Sequence, residues 1–208
     1  VNKDTRFAIA SQTKYFTATA LAILVAKGVI SFDDLMVDRL PGFQVKDGIT
    51  TQKATIRDVL SHRTGVQRAD FTWSTRPSLS RQQILSLLKH LESEKTFRES
   101  FVYNNLLYMA AGEIIPAVTG ISWDEFVTQQ IFRPLGMANT NTRVDKLAGM
   151  ENVASPHALD GDKLVAVPYQ RVNNTGPAGS INSSVSDMAQ WLRLQINSDT
   201  FDDKVIVS

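Results

Sequence analysis

Ser11-Gln12-Thr13-Lys14, running on into an apolar segment over residues 15–26 and stopping at Gly28, is the stretch on which the fold is read. Phe16, Ala20, Ile23, Leu24 and Ala26 recur at helical spacing, and Gly28 suits the left-handed position just past a helix end. The pattern predicts a buried helix with Ser11 at its mouth. Residues three apart on a helix share a face, so the Lys14 amine can reach the Ser11 hydroxyl. A serine hydroxyl is a poor nucleophile until a neighbouring base takes its proton, and a lysine does this only if its pKa falls from about 10.4 towards neutrality. A fall of roughly 3 costs about 4 kcal/mol, which burial and the positive end of the helix can together supply. The plainer alternative at this spacing is a capping Ser11 and a solvated Lys14.

Composition narrows the setting. The chain has 208 residues, for which one domain over residues 1–208 with a real core is the expectation. Its 22 basic and 21 acidic residues leave a net charge of +1, which offers no electrostatic footprint for nucleic acid or anionic lipid. There are no cysteines, which excludes disulfides and thiolate metal sites. The longest apolar run, over residues 18–26, is too short for a membrane span. Val1-Asn2-Lys3-Asp4 is polar and leads straight into Phe7-Ala8-Ile9-Ala10, so no signal peptide opens the chain and the natural protein is expected to start further upstream.

Outward from the Ser11 helix, local signals are dense. Thr55 with Asp58 opens a second helix that runs towards Gly65. Residues 71–77 are aromatic and irregular, fit to line a groove. Ser80 and Gln83 form a capping box ahead of an apolar stripe at Ile84, Leu87, Leu88 and Leu91. Another helix is expected from Asn105 or Leu106 through Ile115, and a further capping box, Ser122 with Glu125, opens one that reaches Phe132. Asp160-Gly161-Asp162 reads as a turn between short strands over residues 156–159 and 163–167. Gly176-Pro177-Ala178-Gly179-Ser180 reads as a tight turn leading into a last helix over residues 184–196. Helices dominate, without internal repeats.

Five of these blocks, in order, carry a resemblance. Residues 7–14, "IRDVLSHRTG" at 56–65, Tyr103-Asn104-Asn105, "VTGISWDEF" with "IFRPLGM" and Thr140, and "GPAGSINSSVSDMAQWL" together resemble the serine β-lactamase and penicillin-binding protein superfamily, especially its class C β-lactamase, D,D-peptidase and esterase branch. The likeness covers most of residues 5–195. It implies an α+β fold of the β-lactamase/D,D-peptidase type, here mainly its helical part, with most of the antiparallel sheet outside this chain. It implies that Ser11 is the acylated nucleophile, Lys14 its basic partner, Tyr103 the general base or proton shuttle, and Asn105 the residue that binds the substrate's amide carbonyl and steadies Lys14. The substrate class it implies is a small molecule or peptidoglycan-like carbonyl, whether lactam, D-amino peptide or ester, handled without metal or organic cofactor, in the periplasm or outside the cell. Tyr-x-Asn in place of Ser-Asp-Asn argues against the class A layout with its separate glutamate base.

One departure stands out. The family's third element, a Lys-Thr-Gly or His-x-Gly on a late strand, is missing, and Lys46-Asp47-Gly48 precedes Tyr103 and so falls on the wrong side of it. The expectation is therefore a chain incomplete at both ends, with very low activity if these residues are the whole molecule. His62 in a helix-ending turn, His90 on a polar face and His157 in a loop lack metal-ligand spacing, and there is no Gly-x-Ser-x-Gly elbow for a histidine-based triad. Asp33, Asp34 and Asp38 lack a calcium-loop pattern. Two rivals differ in kind from an acyl-transfer hydrolase: a non-catalytic relative that senses a ligand or binds cell wall, and an unrelated helical interaction domain.

Overall fold

The computed structural model describes residues 1–197, 200–201 and 204–206; the last part of the expected 1–208 domain lies outside them. The elements, in order, are β1 (Phe7–Ala8), α1 (Thr13–Ala26), α2 (Met36–Arg39), α3 (Gly48–Lys53), α4 (Ile56–Leu60), α5 (Phe71–Ser74), α6 (Arg81–Leu85), α7 (Asn105–Gly112), α8 (Ile114–Thr119) and α9 (Trp123–Val127). They continue with β2 (His157–Asp160), β3 (Lys163–Ala166), α10 (Gly176–Gly179), β4 (Asn182–Ser183) and α11 (Val185–Ile196), and a short pair, Thr200–Phe201 with Lys204–Val205, follows. Sheet structure among the described residues is confined to two-stranded pairs: β1 antiparallel to β4, with Phe7 opposite Ser183, the β2–β3 hairpin, with Leu159 opposite Leu164, and that final pair. The architecture is α+β with the helical part dominant, as expected.

Helix α1 is the axle. Phe16, Ala20, Leu21, Ile23 and Leu24 are all buried, and Phe16 stacks on Trp191 of α11 at 4.1 Å between centroids while meeting Phe132 edge-on at 5.7 Å. Fully burying a side chain the size of Phe16, Leu21, Ile23 or Leu24 contributes roughly 1.5–3 kcal/mol. Two chain segments are tied to the start of α1. Trp123 donates its indole N–H to Thr17 Oγ1, which donates in turn to the Pro177 carbonyl, and Thr13 Oγ1 accepts from the Ile181 amide. The fold thereby brings residues 177–181 against the Ser11 end of α1.

Capping chemistry placed most boundaries. Thr55 with Asp58 and Ser80 with Gln83 form complete capping boxes on α4 and α6, and Ser122, Ser184 and Asp47 cap α9, α11 and α3. Other boundaries differ from expectation for identifiable reasons. The helix from Asn105 does not run through Ile115: it breaks at Glu113, because Pro116 has no N–H for the Gly112 carbonyl, and Pro116 sits instead in the first turn of α8. The stripe Ile84, Leu87, Leu88 and Leu91 is carried by five residues of α-helix followed by a 3₁₀ turn, Leu88–His90, and Leu87 is only half-buried. Gly176–Gly179 is a buried helical turn rather than a tight loop turn, and residues 71–74 of the segment expected to be irregular form the short helix α5. His157 opens strand β2.

Candidate active site

Ser11 does not cap α1. It sits in a 3₁₀ turn, Ala10–Gln12, and the α1 N-cap is Gln12, which makes no side-chain capping bond. Ala10, just before it, holds φ at +46°, a left-handed conformation that costs an alanine about 1–2 kcal/mol. The sharp bend leaves Ser11 exposed while Thr13 and Lys14, two and three residues on, are buried.

The Ser11 hydroxyl lies 2.6 Å from the Tyr103 hydroxyl, and Lys14 Nζ donates to Ser11 Oγ at 3.3 Å. Lys14 is 8% exposed, and its Nζ also donates to Asn105 Oδ1 and to the Ala178 carbonyl, both at 2.7 Å. Burial pulls the Lys14 pKa from 10.5 down to about 7; the Asp70 carboxylate resists the fall and the Arg68 cation reinforces it. Both carbonyl oxygens can only accept, so they claim two N–H bonds whatever the protonation state. The third position, facing Ser11, holds an N–H in the ammonium and a lone pair in the amine.

Tyr103 and Asn105 reach the same side because Asn104 between them is extended, with φ −139° and ψ 111°. Asn104 is itself buried and fully used: its Oδ1 accepts from the Leu107 amide, and its Nδ2 donates to the Val66 and Gln67 carbonyls. Its backbone N–H donates to His62 Nδ1 at 3.2 Å, so that ring nitrogen is the unprotonated one. His62, at φ +59°, wedges its ring against Tyr103 at 4.6 Å and Tyr108 at 5.4 Å. Burial, helped by the Lys14 charge, takes its pKa to about 4 and keeps it neutral. Tyr108 donates to the Lys14 main-chain carbonyl, and burial pushes its phenol above the usual range.

All four residues expected at the site from sequence, Ser11, Lys14, Tyr103 and Asn105, are brought into one hydrogen-bonded cluster. Several of its neighbours escaped sequence reasoning. The Ala178 carbonyl comes from 164 residues away, and Asp70, which accepts from Asn105 Nδ2 at 2.9 Å, was marked only by standing just before the aromatic run. His90 and His157 are exposed and outside the cluster, while Asp33 and Asp34 are engaged by Arg57 and Arg39. Among the described residues no group of three or more His, Asp or Glu side chains gathers in a metal-binding arrangement. A cavity of about 950 Å³ is lined by Arg81, Asp124, Arg143, Tyr169 and Asn174 among others and includes none of the four. The hydroxyl–amine–phenol geometry, not cavity size, marks the site.

This fold, with a Ser-x-x-Lys helix facing a Tyr-x-Asn loop, belongs to the β-lactamase and penicillin-binding protein class. The Beta-lactamase family model matches residues 1–206, and the chain is a member of that family. Among its relatives are the Unguisins hydrolase ungD of Aspergillus violaceofuscus, 30% identical over 95% of this chain and 37% of that protein, and Penicillin-binding protein 4 of Amycolatopsis lactamdurans, 27% identical over 95% of this chain and 52% of that one. A D-stereospecific amidohydrolase from Streptomyces sp. superposes with a TM-score of 0.83 at 25% identity, over 99% of this chain and 65% of its own. An octameric penicillin-binding protein homologue from Pyrococcus abyssi gives the same TM-score over 98% and 47%. The chain thus spans less than two thirds of the length of each. No single helix among the described residues is long and apolar enough to cross a membrane.

Proposed function

We propose that the chain carries the acylation centre of a serine hydrolase that opens a β-lactam, D-amino peptide or ester carbonyl through an acyl-enzyme. The observation that supports this most directly is the Ser11 hydroxyl held 2.6 Å from the Tyr103 hydroxyl beside a buried Lys14. In the amine form, the Lys14 lone pair faces Ser11 and accepts its proton as Oγ bonds to the carbonyl carbon. Tyr103 relays that proton to the leaving nitrogen or oxygen as the carbonyl's bond to it breaks. Water then enters, gives a proton back through Tyr103 and Lys14, and releases the acid and free Ser11. The Ser11 N–H serves as one donor to the oxyanion, and Asn105 as a donor to the substrate amide. A location in the periplasm or outside the cell goes with this reading.

The test is incubation with a fluorescent penicillin, with the adduct located by mass spectrometry. Label on Ser11 is expected, Ser11→Ala should abolish it, and Tyr103→Phe should slow it by about 10²-fold or more. The labelling rate should rise with pH through about 7, as the Lys14 ammonium gives way to amine. Reversible binding without a covalent adduct would replace this reading by a ligand sensor. Neither labelling nor binding would leave a scaffold.

A further inference from the structure

We propose that Asp70 is a positioning residue of this site, fixing which end of the Asn105 amide meets Lys14 and setting the protonation of that lysine; the proposal rests on the acyl-transfer reading and extends it. An asparagine amide has one accepting and one donating end of nearly equal shape. Flipped, Asn105 would turn an NH₂ towards an amine that already donates. Asp70 Oδ1 prevents this by accepting from Asn105 Nδ2 at 2.9 Å, which leaves Oδ1 of Asn105 for Lys14 at 2.7 Å.

Asp70 is itself tightly held. Its Oδ1 also accepts from the Trp73 indole N–H at 3.0 Å, and its Oδ2 accepts from Arg68 Nε. Burial pushes its carboxyl up, but the bonds from Asn105, Trp73 and Arg68 outweigh it and hold the carboxyl below the usual range. Asp70 stands at the N-cap of α5 yet makes no capping bond there, so the carboxylate serves the site rather than the helix. Arg68 in turn lies 5.1 Å from the Tyr103 ring centroid. One loop therefore reaches both Tyr103 and, through Asn105, Lys14.

The groups around the Lys14 amine are Asp70, Arg68, His62, Tyr103 and Tyr108. His62 and Tyr108 are held neutral and Arg68 is a cation, which makes Asp70 the carboxylate among them. Removing it deprives the ammonium of its counter-charge.

The experiment follows the Lys14 side chain by ¹³Cε and ¹⁵Nζ NMR titration and, in parallel, Ser11 labelling by fluorescent penicillin across pH. Asp70→Asn keeps an acceptor and loses the charge; Asp70→Ala loses both. Both variants should lower the Lys14 midpoint by roughly 0.5–1 pH unit, and the acid limb of labelling should move with it. Only Asp70→Ala should also lower the plateau rate, by about 10-fold or more, because only it frees the Asn105 amide. A Lys14 midpoint and labelling rate unchanged in both variants would overturn the role of Asp70 and leave the acyl-transfer reading intact. A parent chain that never labels at Ser11 would overturn that reading, while the NMR titration would still decide whether Asp70 governs Lys14.

Discussion

Lys14 is a residue the fold holds at a cost. Its pKa is about 7 when folded and 10.5 when free, so between these values the unfolded chain binds the extra proton. Stability contributed through Lys14 therefore rises with pH across that window, and below about 7 the folded state bears the full penalty of a buried ammonium, on the order of 5 kcal/mol. Lys14→Met removes the titration and leaves the Asn105 and Ala178 oxygens without a donor. We predict that urea denaturation of the parent and of Lys14→Met will give a stability difference that moves in favour of the parent from pH 7 to pH 10. A difference flat with pH would mean that Lys14 titrates near its solution value. Ser11 and Lys14 were legible in the sequence because both lie on one turn of chain. The Ala178 carbonyl and Asp70, which complete the setting of Lys14, were not: a main-chain oxygen has no signature, and an isolated aspartate is chemically ordinary until the fold gives it donors.

At the scale of elements, the site depends on how closely α7 and α10 approach. A Cβ built on Gly112 would meet Pro177 Cβ at 2.3 Å and Cγ at 2.5 Å, so only glycine permits the contact. Gly112→Ala must push α10 away from α7, and α10 carries the Ala178 carbonyl that accepts from Lys14. We expect a loss of about 1–3 kcal/mol in chemical denaturation, together with slower Ser11 labelling. Unaltered stability would show that α10 yields at no cost. The sequence displayed Ala110, Ala111 and Gly112 as a small-residue patch fit for close helix packing, and that much was readable. The break at Glu113 is masked in the sequence, because the apolar periodicity continues through Ile114 and Ile115 and only the missing Pro116 N–H stops the helix. Capping boxes, by contrast, are written within four residues and were read correctly at Thr55 and Ser80.

At the scale of the whole molecule, the contiguous core built on α1, α7, α9 and α11 contrasts with the β2–β3 hairpin, whose eight strand residues are all exposed. Its strands were legible as a turn flanked by apolar residues, although Leu159 and Leu164 are spent on solvent rather than on the core. The hairpin is anchored at its base, where the Val167 amide donates to the Pro156 carbonyl and the Tyr169 hydroxyl to the Ala154 carbonyl. A ribbon anchored at its root and exposed along both strands shares little cooperative energy with the body it leaves, so its tip at Gly161 is a natural port for foreign sequence. A peptide epitope or small reporter domain spliced there should leave the melting temperature within a few degrees and the reactivity of Ser11 as it was, whereas the same graft at Gly65, where an added Cβ would meet the Lys95 carbonyl oxygen at 2.2 Å, should abolish soluble expression.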